Sequence, residues 1–227
     1  IAIREGYQPT QEQEHFAAIF LTSSFRFDSA EQAAKRFDDI DQGNIYSRFT
    51  NPSVDAFQEK LAALEGAEQC LATASGMSAI FATIMTLLKP GEHMVASRGM
   101  FGTTIVLLNT VIQKFSIEVT FVDLPDLDDW KNSVQTNTKL FMLETPSNPL
   151  LTVTDIKAIA EIAKKHNLVS MIDNTFASPV NQNPIDFGID IVIHSATKYM
   201  GGHSDICAGA VASTTENMDR IFQLGKN

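Results

Sequence analysis

Two residues of this chain are well placed to do chemistry together: a lysine that follows an apolar strand and an aspartate that ends another. Lys198 closes the run Ile191-Val192-Ile193-His194-Ser195-Ala196-Thr197-Lys198, and Asp173 closes Ser170-Met171-Ile172-Asp173, 25 positions earlier. A lysine delivered by an apolar strand is expected to be partly desolvated, as an amine that forms imines must be. A carboxylate in a pocket costs free energy unless it meets a cation or donors. A pyridinium N–H suits it, because opposite charges at short range favour each other's charged forms. A ring kept protonated in this way accepts electrons from a substrate carbanion. Amine, carboxylate and the hydroxyls of Ser195 and Thr197 are the set that would hold pyridoxal 5'-phosphate, with Lys198 as the Schiff-base lysine.

A phosphate needs a place of its own, and Ala72-Thr73-Ala74-Ser75-Gly76-Met77-Ser78 joins a strand to a helix. Such a junction collects free backbone N–H groups and the positive end of the helix. Gly76 lets an oxygen approach the backbone closely, and Ser195 and Thr197 can add hydroxyl donors. Plainer readings exist for each residue. Ser75-Gly76 could be only a tight turn, Asp173 only a cap on a loop or helix, and Lys198 only a solvated turn lysine. The spacing Ser195-x-x-Lys198 also matches a serine acyl-enzyme motif, but no accompanying S-D-N or K-T-G sequence is present.

The elements that must position these residues alternate. Strands are expected at residues 69–73, 93–97, 118–122, 139–143, 168–172, 189–194 and 207–212, and helices at 78–88, 103–114 and 155–166. Before them, Val54, Phe57, Leu61 and Leu64 recur at helical spacing and stop at Gly66, which reads as a helix with a glycine end. Alternation with continuous apolar strands implies an α/β fold with a mainly parallel sheet covered on both faces. Ligands then belong at the carboxyl ends of the strands, where Ser75, Asn148, Asp173 and Lys198 fall. Residues 1–52 lack a sustained period and are expected to be an extended arm needing a partner surface, with 53–227 as the large domain. Residues 216–227 read as the first turns of a helix, so the chain is expected to stop before a further domain.

Composition narrows the class. Of 227 residues 44% are hydrophobic and 19% charged, the profile of a packed enzyme domain. Seventeen Lys and Arg against 27 Asp and Glu give a net charge of -10, which argues against a nucleic-acid or anionic-membrane surface. Cys70 and Cys207 lie far apart without C-x-x-C spacing, so neither a zinc site nor a disulfide framework is indicated and a reducing cytoplasm is the expectation. The first residues show no signal-peptide pattern and no run approaches a membrane span, so a soluble protein is expected.

Five ordered strings carry a resemblance: YSRFTNPS (Tyr46 to Ser53), ASGMSAI (Ala74 to Ile80), ETPSNPL (Glu144 to Leu150), DNTF (Asp173 to Phe176) and HSATKYMGGHSD (His194 to Asp205). Over its whole length the chain resembles the Cys/Met-metabolism family of pyridoxal-phosphate enzymes. Residues 11–25 and 97–103 most resemble its O-acylhomoserine sulfhydrylase branch, and within it the succinyl-ester members.

The resemblance implies a fold type I, aspartate-aminotransferase-like large domain, with a C-terminal small domain that this chain does not contain. It implies that Lys198 tethers the cofactor, that Asp173 pairs with the ring nitrogen, and that Ser75, Gly76, Met77, Ser195 and Thr197 hold the phosphate. Asn148 and Thr175 complete the cofactor-binding set. Phe101 stands where most relatives stack a tyrosine on the ring, so stacking is kept and a phenol proton donor is not. Tyr46 and Arg48 are implied to reach the cofactor phosphate of a neighbouring subunit, with Tyr46 aiding proton transfer. A dimer is therefore the smallest competent unit, and a tetramer the usual assembly. The implied reaction is gamma-replacement on an O-acylhomoserine by sulfide in methionine biosynthesis. Cystathionine gamma-synthase, O-acetylhomoserine sulfhydrylase and gamma-lyase activities are the alternatives within the family, and a cofactor-free homologue the one outside it.

Overall fold

The structure, a computed structural model, describes residues 3–225. Residues 1, 2, 226 and 227, which belong to the expected arm and the expected final helix, lie outside the described residues.

Seven strands make one sheet: β1 (Gln69–Thr73), β2 (His93–Ser97), β3 (Glu118–Val122), β4 (Thr138–Glu144), β5 (Val169–Asp173), β6 (Ile191–His194) and β7 (Gly209–Ser213), in the spatial order β1-β7-β6-β5-β4-β2-β3. Strands β2 to β6 are parallel to their neighbours in that group. Strand β7 pairs antiparallel with both β6 and β1, so β1 runs the same way as β2 to β6. The carboxyl ends of six strands thus open on one edge of the sheet.

Side chains explain why the sheet is covered twice. Along each central strand successive residues go to opposite faces. Met94, Ala96, Leu140, Met142, Met171, Ile191 and Ile193 enter one buried cluster, and Val95, Phe141, Leu143, Ile172 and Val192 enter the other. The first cluster is closed by helices α3 (Gly76–Leu87) and α8 (Thr215–Gly225), through Ala79, Ile80, Ile84, Met218 and Ile221. The second is closed by α5 (Leu127–Asn132) and α6 (Ile156–Lys165), through Trp130, Ile159 and Ala163. Each buried aliphatic of this size stabilises the fold by about 1.5–3 kcal/mol relative to exposure. Trp130 is fully buried and satisfies its indole N–H on the Leu124 carbonyl at 3.1 Å.

Three expectations shift for local reasons. Leu168 donates its N–H to Ala163 as α6 ends, so β5 starts one residue later than expected and runs through Asp173. Thr197 and Ala208 exchange backbone and hydroxyl bonds, which holds residues 207–208 off the sheet and starts β7 at Gly209. The helix expected over 103–114 is a short α4 (Gly102–Val106) that opens into a π turn over Leu107–Val111 and tightens to 3-10 geometry over Ile112–Phe115.

The segment before α2 (Pro52–Glu65) is largely exposed, yet it is not simply extended. It contains α1 (Ala30–Phe37), capped by the Ser29 hydroxyl on the Gln32 N–H at 3.1 Å, and α1 buries no residue. That is why no apolar period announced it. Residues 23–25 and 45–47 meet in a bridge between Ser24 and Tyr46, and Asn51 and Ser53 bond to the Phe20 backbone, fastening the segment to the start of α2. A short α7 (Ser178–Asn181) completes the helices.

Candidate active site

At the carboxyl edge of the sheet lies a cavity of about 370 Å³ lined by Ser75, Gly76, Met77, Phe101, Asn148, Asp173, Thr175, Ser195, Thr197 and Lys198, ten of the residues singled out from sequence. They arrive on the five connections that leave the carboxyl ends of β1, β2, β4, β5 and β6.

The β1 exit delivers the start of α3. Ser75 is the N-cap, its hydroxyl accepting the Ser78 N–H at 3.1 Å while the Ser78 hydroxyl accepts the Ser75 N–H at 2.9 Å, a reciprocal capping box. This arrangement settles two of the open donors internally and sets Gly76 and Met77, the first two residues of a twelve-residue helix, in the cavity wall. Glycine at 76 is a packing requirement: a Cβ there would stand 2.8 Å from the Ser195 Cβ. The helix end and the lysine loop can approach this closely only without that carbon.

The β5 and β6 exits are laced together. Asp173 Oδ1 accepts the Thr175 N–H at 3.0 Å, the Asn174 N–H reaches the Ile193 carbonyl at 2.9 Å, and the Thr175 hydroxyl accepts the Ser195 N–H at 2.8 Å. Burial pushes the Asp173 carboxyl above its ordinary value, while the Thr175 bonds and the charge of His194 pull it down. Burial wins, so this carboxylate stands in need of a cation.

Strand β6 ends at His194 as expected, and Lys198 sits four residues later in a turn where its N–H bonds to Ser195 and its carbonyl accepts from Gly202. Its exposure is what differs from the expectation. It is exposed rather than desolvated, because it lines the open side of the cavity. Its side chain makes no hydrogen bond or ion pair among the described residues. Thr197 also corrects its role. Its hydroxyl donates to the Ala208 carbonyl at 3.1 Å and accepts the Ala208 N–H at 3.0 Å, so it clamps the lysine turn to the β7 entry and has no free donor. The Ser195 hydroxyl is the donor left for an anion.

Sequence reading missed Glu144, which shares the cavity wall with Ile80, Thr104, Phe176 and Cys207. Glu144 ends β4 in register with Asp173, is almost wholly buried and accepts the Phe101 N–H at 2.6 Å. Burial first, and Asp173 second, push its carboxyl up to about 8, against the Phe101 bond that pulls down. Its signal was available: like Asp173, it is an acid directly after an apolar strand.

Tyr46 and Arg48 do not reach this cavity. Tyr46 is 42% exposed, and Arg48 stacks over Phe49 at 4.6 Å from the ring centroid beside a separate, apolar cavity of about 830 Å³. Of the candidate residues that larger cavity is lined by Arg48 alone, and it lacks Lys198 and Asp173. The two cysteines are unpaired, and burial together with the charge of Glu65 pushes the Cys70 thiol up to about 12. Among the described residues no helix is long and apolar enough to cross a membrane.

Known proteins bear on this arrangement. The chain is 48% identical over 221 residues to an O-succinylhomoserine sulfhydrylase of Pseudomonas aeruginosa, covering 97% of this chain and 55% of that protein. It is 45% identical over 208 residues to an L-methionine gamma-lyase of Fusobacterium nucleatum, covering 91% and 53%. A Campylobacter jejuni crystal structure assigned as an O-acetylhomoserine (thiol)-lyase superposes with a TM-score of 0.90 at 34% identity, over 96% of this chain and 54% of that one, and carries N'-pyridoxyl-lysine-5'-monophosphate. The chain spans about half the length of the curated relatives it matches. The family model described as Cys/Met metabolism PLP-dependent enzyme matches residues 1–227, and the chain belongs to that family of pyridoxal-phosphate enzymes.

Proposed function

We propose that the protein replaces the acyl group of an O-acylhomoserine, the succinyl ester in the first place, with sulfide to form homocysteine. The observation that carries the reading is the convergence of Lys198, Asp173 and the α3 N-terminus on one cavity. The residues present suit pyridoxal phosphate: the helix end and the Ser195 hydroxyl offer donors for a phosphate, and Asp173 offers an anion for a ring N–H. Bound there, the cofactor supplies an electron sink for carbanion chemistry.

The chain's own groups then have distinct tasks. Lys198 Nζ would tether the cofactor and, when free, would take and return protons at the substrate carbons. One amine can serve successive steps because the turn after β6 keeps it within reach of them. Asp173 holds positive charge on the ring nitrogen. Phe101, its backbone N–H pinned by Glu144, would offer an aromatic face to the cofactor and brings no phenol to the proton transfers. Asn148 and Thr175 would help hold the cofactor, and Thr197 fixes the turn that presents Lys198. Tyr46 and Arg48, outside the cavity of their own chain, serve the cofactor phosphate of a neighbouring subunit, Arg48 through its planar fork. Residues 1–52 act as that intersubunit arm and 53–227 as the cofactor-binding domain, in a homo-oligomer of at least two chains and in a tetramer as the working assembly. A cytoplasmic placement fits two unpaired cysteines.

Gamma-elimination is the second reading, supported by identities of 45% and 42% to L-methionine gamma-lyases of Fusobacterium nucleatum and Treponema denticola. One experiment separates them. Full-length protein loaded with pyridoxal phosphate is offered succinyl and acetyl esters of homoserine, each with sulfide or cysteine, and methionine alone, with products read by mass spectrometry. Homocysteine from the succinyl ester and sulfide is expected; a 2-oxo acid with ammonia from methionine, and no homocysteine, would replace this reading with the second.

A further inference from the structure

Behind the sheet, directly opposite the cavity, a buried acid joins the two strand exits that carry Asp173 and Lys198. Glu65 is the last residue of α2 and is fully buried. Its Oε1 accepts the Asn174 amide N–H at 2.9 Å and bonds to His194 Nε2, while its Oε2 is buried with no hydrogen-bond partner. Asn174 and His194 each follow one residue after a cross-strand pair, Asp173 and Ile193. Alternation therefore turns them to the face away from the cavity. Asn174 is held further by an exchange with Gln182, donating to its carbonyl at 2.9 Å and accepting its amide N–H at 2.8 Å.

We propose that Glu65, through His194 and Asn174, is a positioning residue for the cofactor: its hydrogen bonds to His194 and Asn174 fix the spacing of the β5 and β6 exits that carry Asp173 and Lys198. The proposal rests on the cofactor reading above. Its physical basis is that a buried carboxylate with one bare oxygen is costly, and a buried ion pair adds little stability over apolar packing of the same volume. A role in charge and geometry next to the site accounts for a feature that stability does not. The titratable groups that bear on Asp173 are Glu144 from β4, His194 from β6 with Glu65 of α2 behind it, and Lys198 across the cavity, while Cys70 of β1 faces Glu65. Of these, the His194 interaction is one that pulls the Asp173 carboxyl down, after the Thr175 hydrogen bonds.

The sign of the effect follows. Asp173 pairs with a ring N–H only when ionised, so cofactor affinity falls as pH drops through its titration. Disturbing the His194 interaction, which pulls the Asp173 carboxyl down, moves that loss to higher pH. The test uses full-length protein, pyridoxal phosphate as titrant, the visible absorbance of the bound form, and Glu65→Gln, which keeps shape and the Asn174 bond but not the charge. Affinity at neutral pH is expected to weaken about tenfold, with the acid limb moved up by about one pH unit. His194→Gln is expected to do the same, and the double variant no more than the stronger single, because the two act as a unit. Glu65→Ala is expected to be rescued in part by Glu65→Asp. Wild-type affinity and an unmoved acid limb in Glu65→Gln would overturn the proposal, as would unfolding of both Glu65→Gln and His194→Gln, which would make the pair an element of the fold alone. Wild-type protein that takes up no pyridoxal phosphate would instead sink the cofactor reading itself.

Discussion

Glu144 and Asp173 stand in register at the carboxyl ends of neighbouring strands, and the Glu144 carboxyl accepts the Phe101 N–H at 2.6 Å. One acid thus lines the cavity beside Lys198 while the other ties down the loop that carries Phe101. The two share a wall and cannot both ionise cheaply, which separates their duties: Glu144, raised to about 8, holds a proton at neutral pH.

That separation has a stability signature. In cofactor-free protein Glu144 takes up its proton near pH 8, whereas in the unfolded chain it does so near the ordinary value of 4.5. The folded state binds more protons between these limits, so stability rises as pH falls through that window, and the raised Asp173 adds to the trend. Glu144→Gln keeps an acceptor for Phe101 and is expected to flatten the slope by on the order of 1 kcal/mol per pH unit. Denaturant unfolding at several pH values checks this, and an unchanged slope would count against Glu144 as the titrating group.

Lys198→Ala is expected to remove the visible absorbance of the bound cofactor and all turnover, since no other lysine lines the cavity. Substantial residual activity would assign the tether elsewhere.

Asp173→Asn keeps an acceptor for the Thr175 N–H but loses the anion. Cofactor affinity is expected to drop, and turnover to fall on the order of a hundredfold or more, the cost of one preorganised electrostatic partner. Stopped-flow and steady-state rates that match wild type would remove Asp173 from the mechanism.

Gly209 tests the cradle. A Cβ at this first residue of β7 would stand 2.2 Å from the Ser75 carbonyl oxygen and 2.6 Å from the Gly76 nitrogen, both backbone atoms. Gly209→Ala is expected to push the α3 N-terminus out, costing about 1–3 kcal/mol of stability as overpacking does, and to weaken binding of pyridoxal phosphate more than of pyridoxal. A variant that melts normally and keeps its phosphate preference would show that the helix end is not the phosphate seat.

Arg48→Ala and Lys198→Ala chains, each inactive alone, are expected to regain activity when mixed, because one mixed site then has both residues. Verified mixed dimers without activity would place the arm on its own subunit.

The strand positions were legible because the apolar residues alternate between two buried clusters, as Met94-Val95-Ala96 and Leu140-Phe141-Met142-Leu143 do. A strand covered on both faces reads as an unbroken apolar run, and the polar residue that ends it marks the sheet edge. The same rule brought out Asp173 and should have brought out Glu144. Helix α1 was illegible because it buries nothing, and the direction of β7 because strand composition carries no sign.

The order of apolar runs and the residue types at their ends determined the α/β class, and the five ordered strings and residues 97–103, which carry the family resemblance, pointed to ten of the residues lining the cavity, because both are local information. Contacts between distant segments were decided only in three dimensions. Thr197 spent its hydroxyl on Ala208, Lys198 came to an exposed turn, Tyr46 and Arg48 stayed outside the cavity, and Glu65 met His194 across 129 positions of chain. Hydrogen-bond partners and burial depend on which loops the sheet brings side by side, and that follows from strand order rather than from any stretch of sequence.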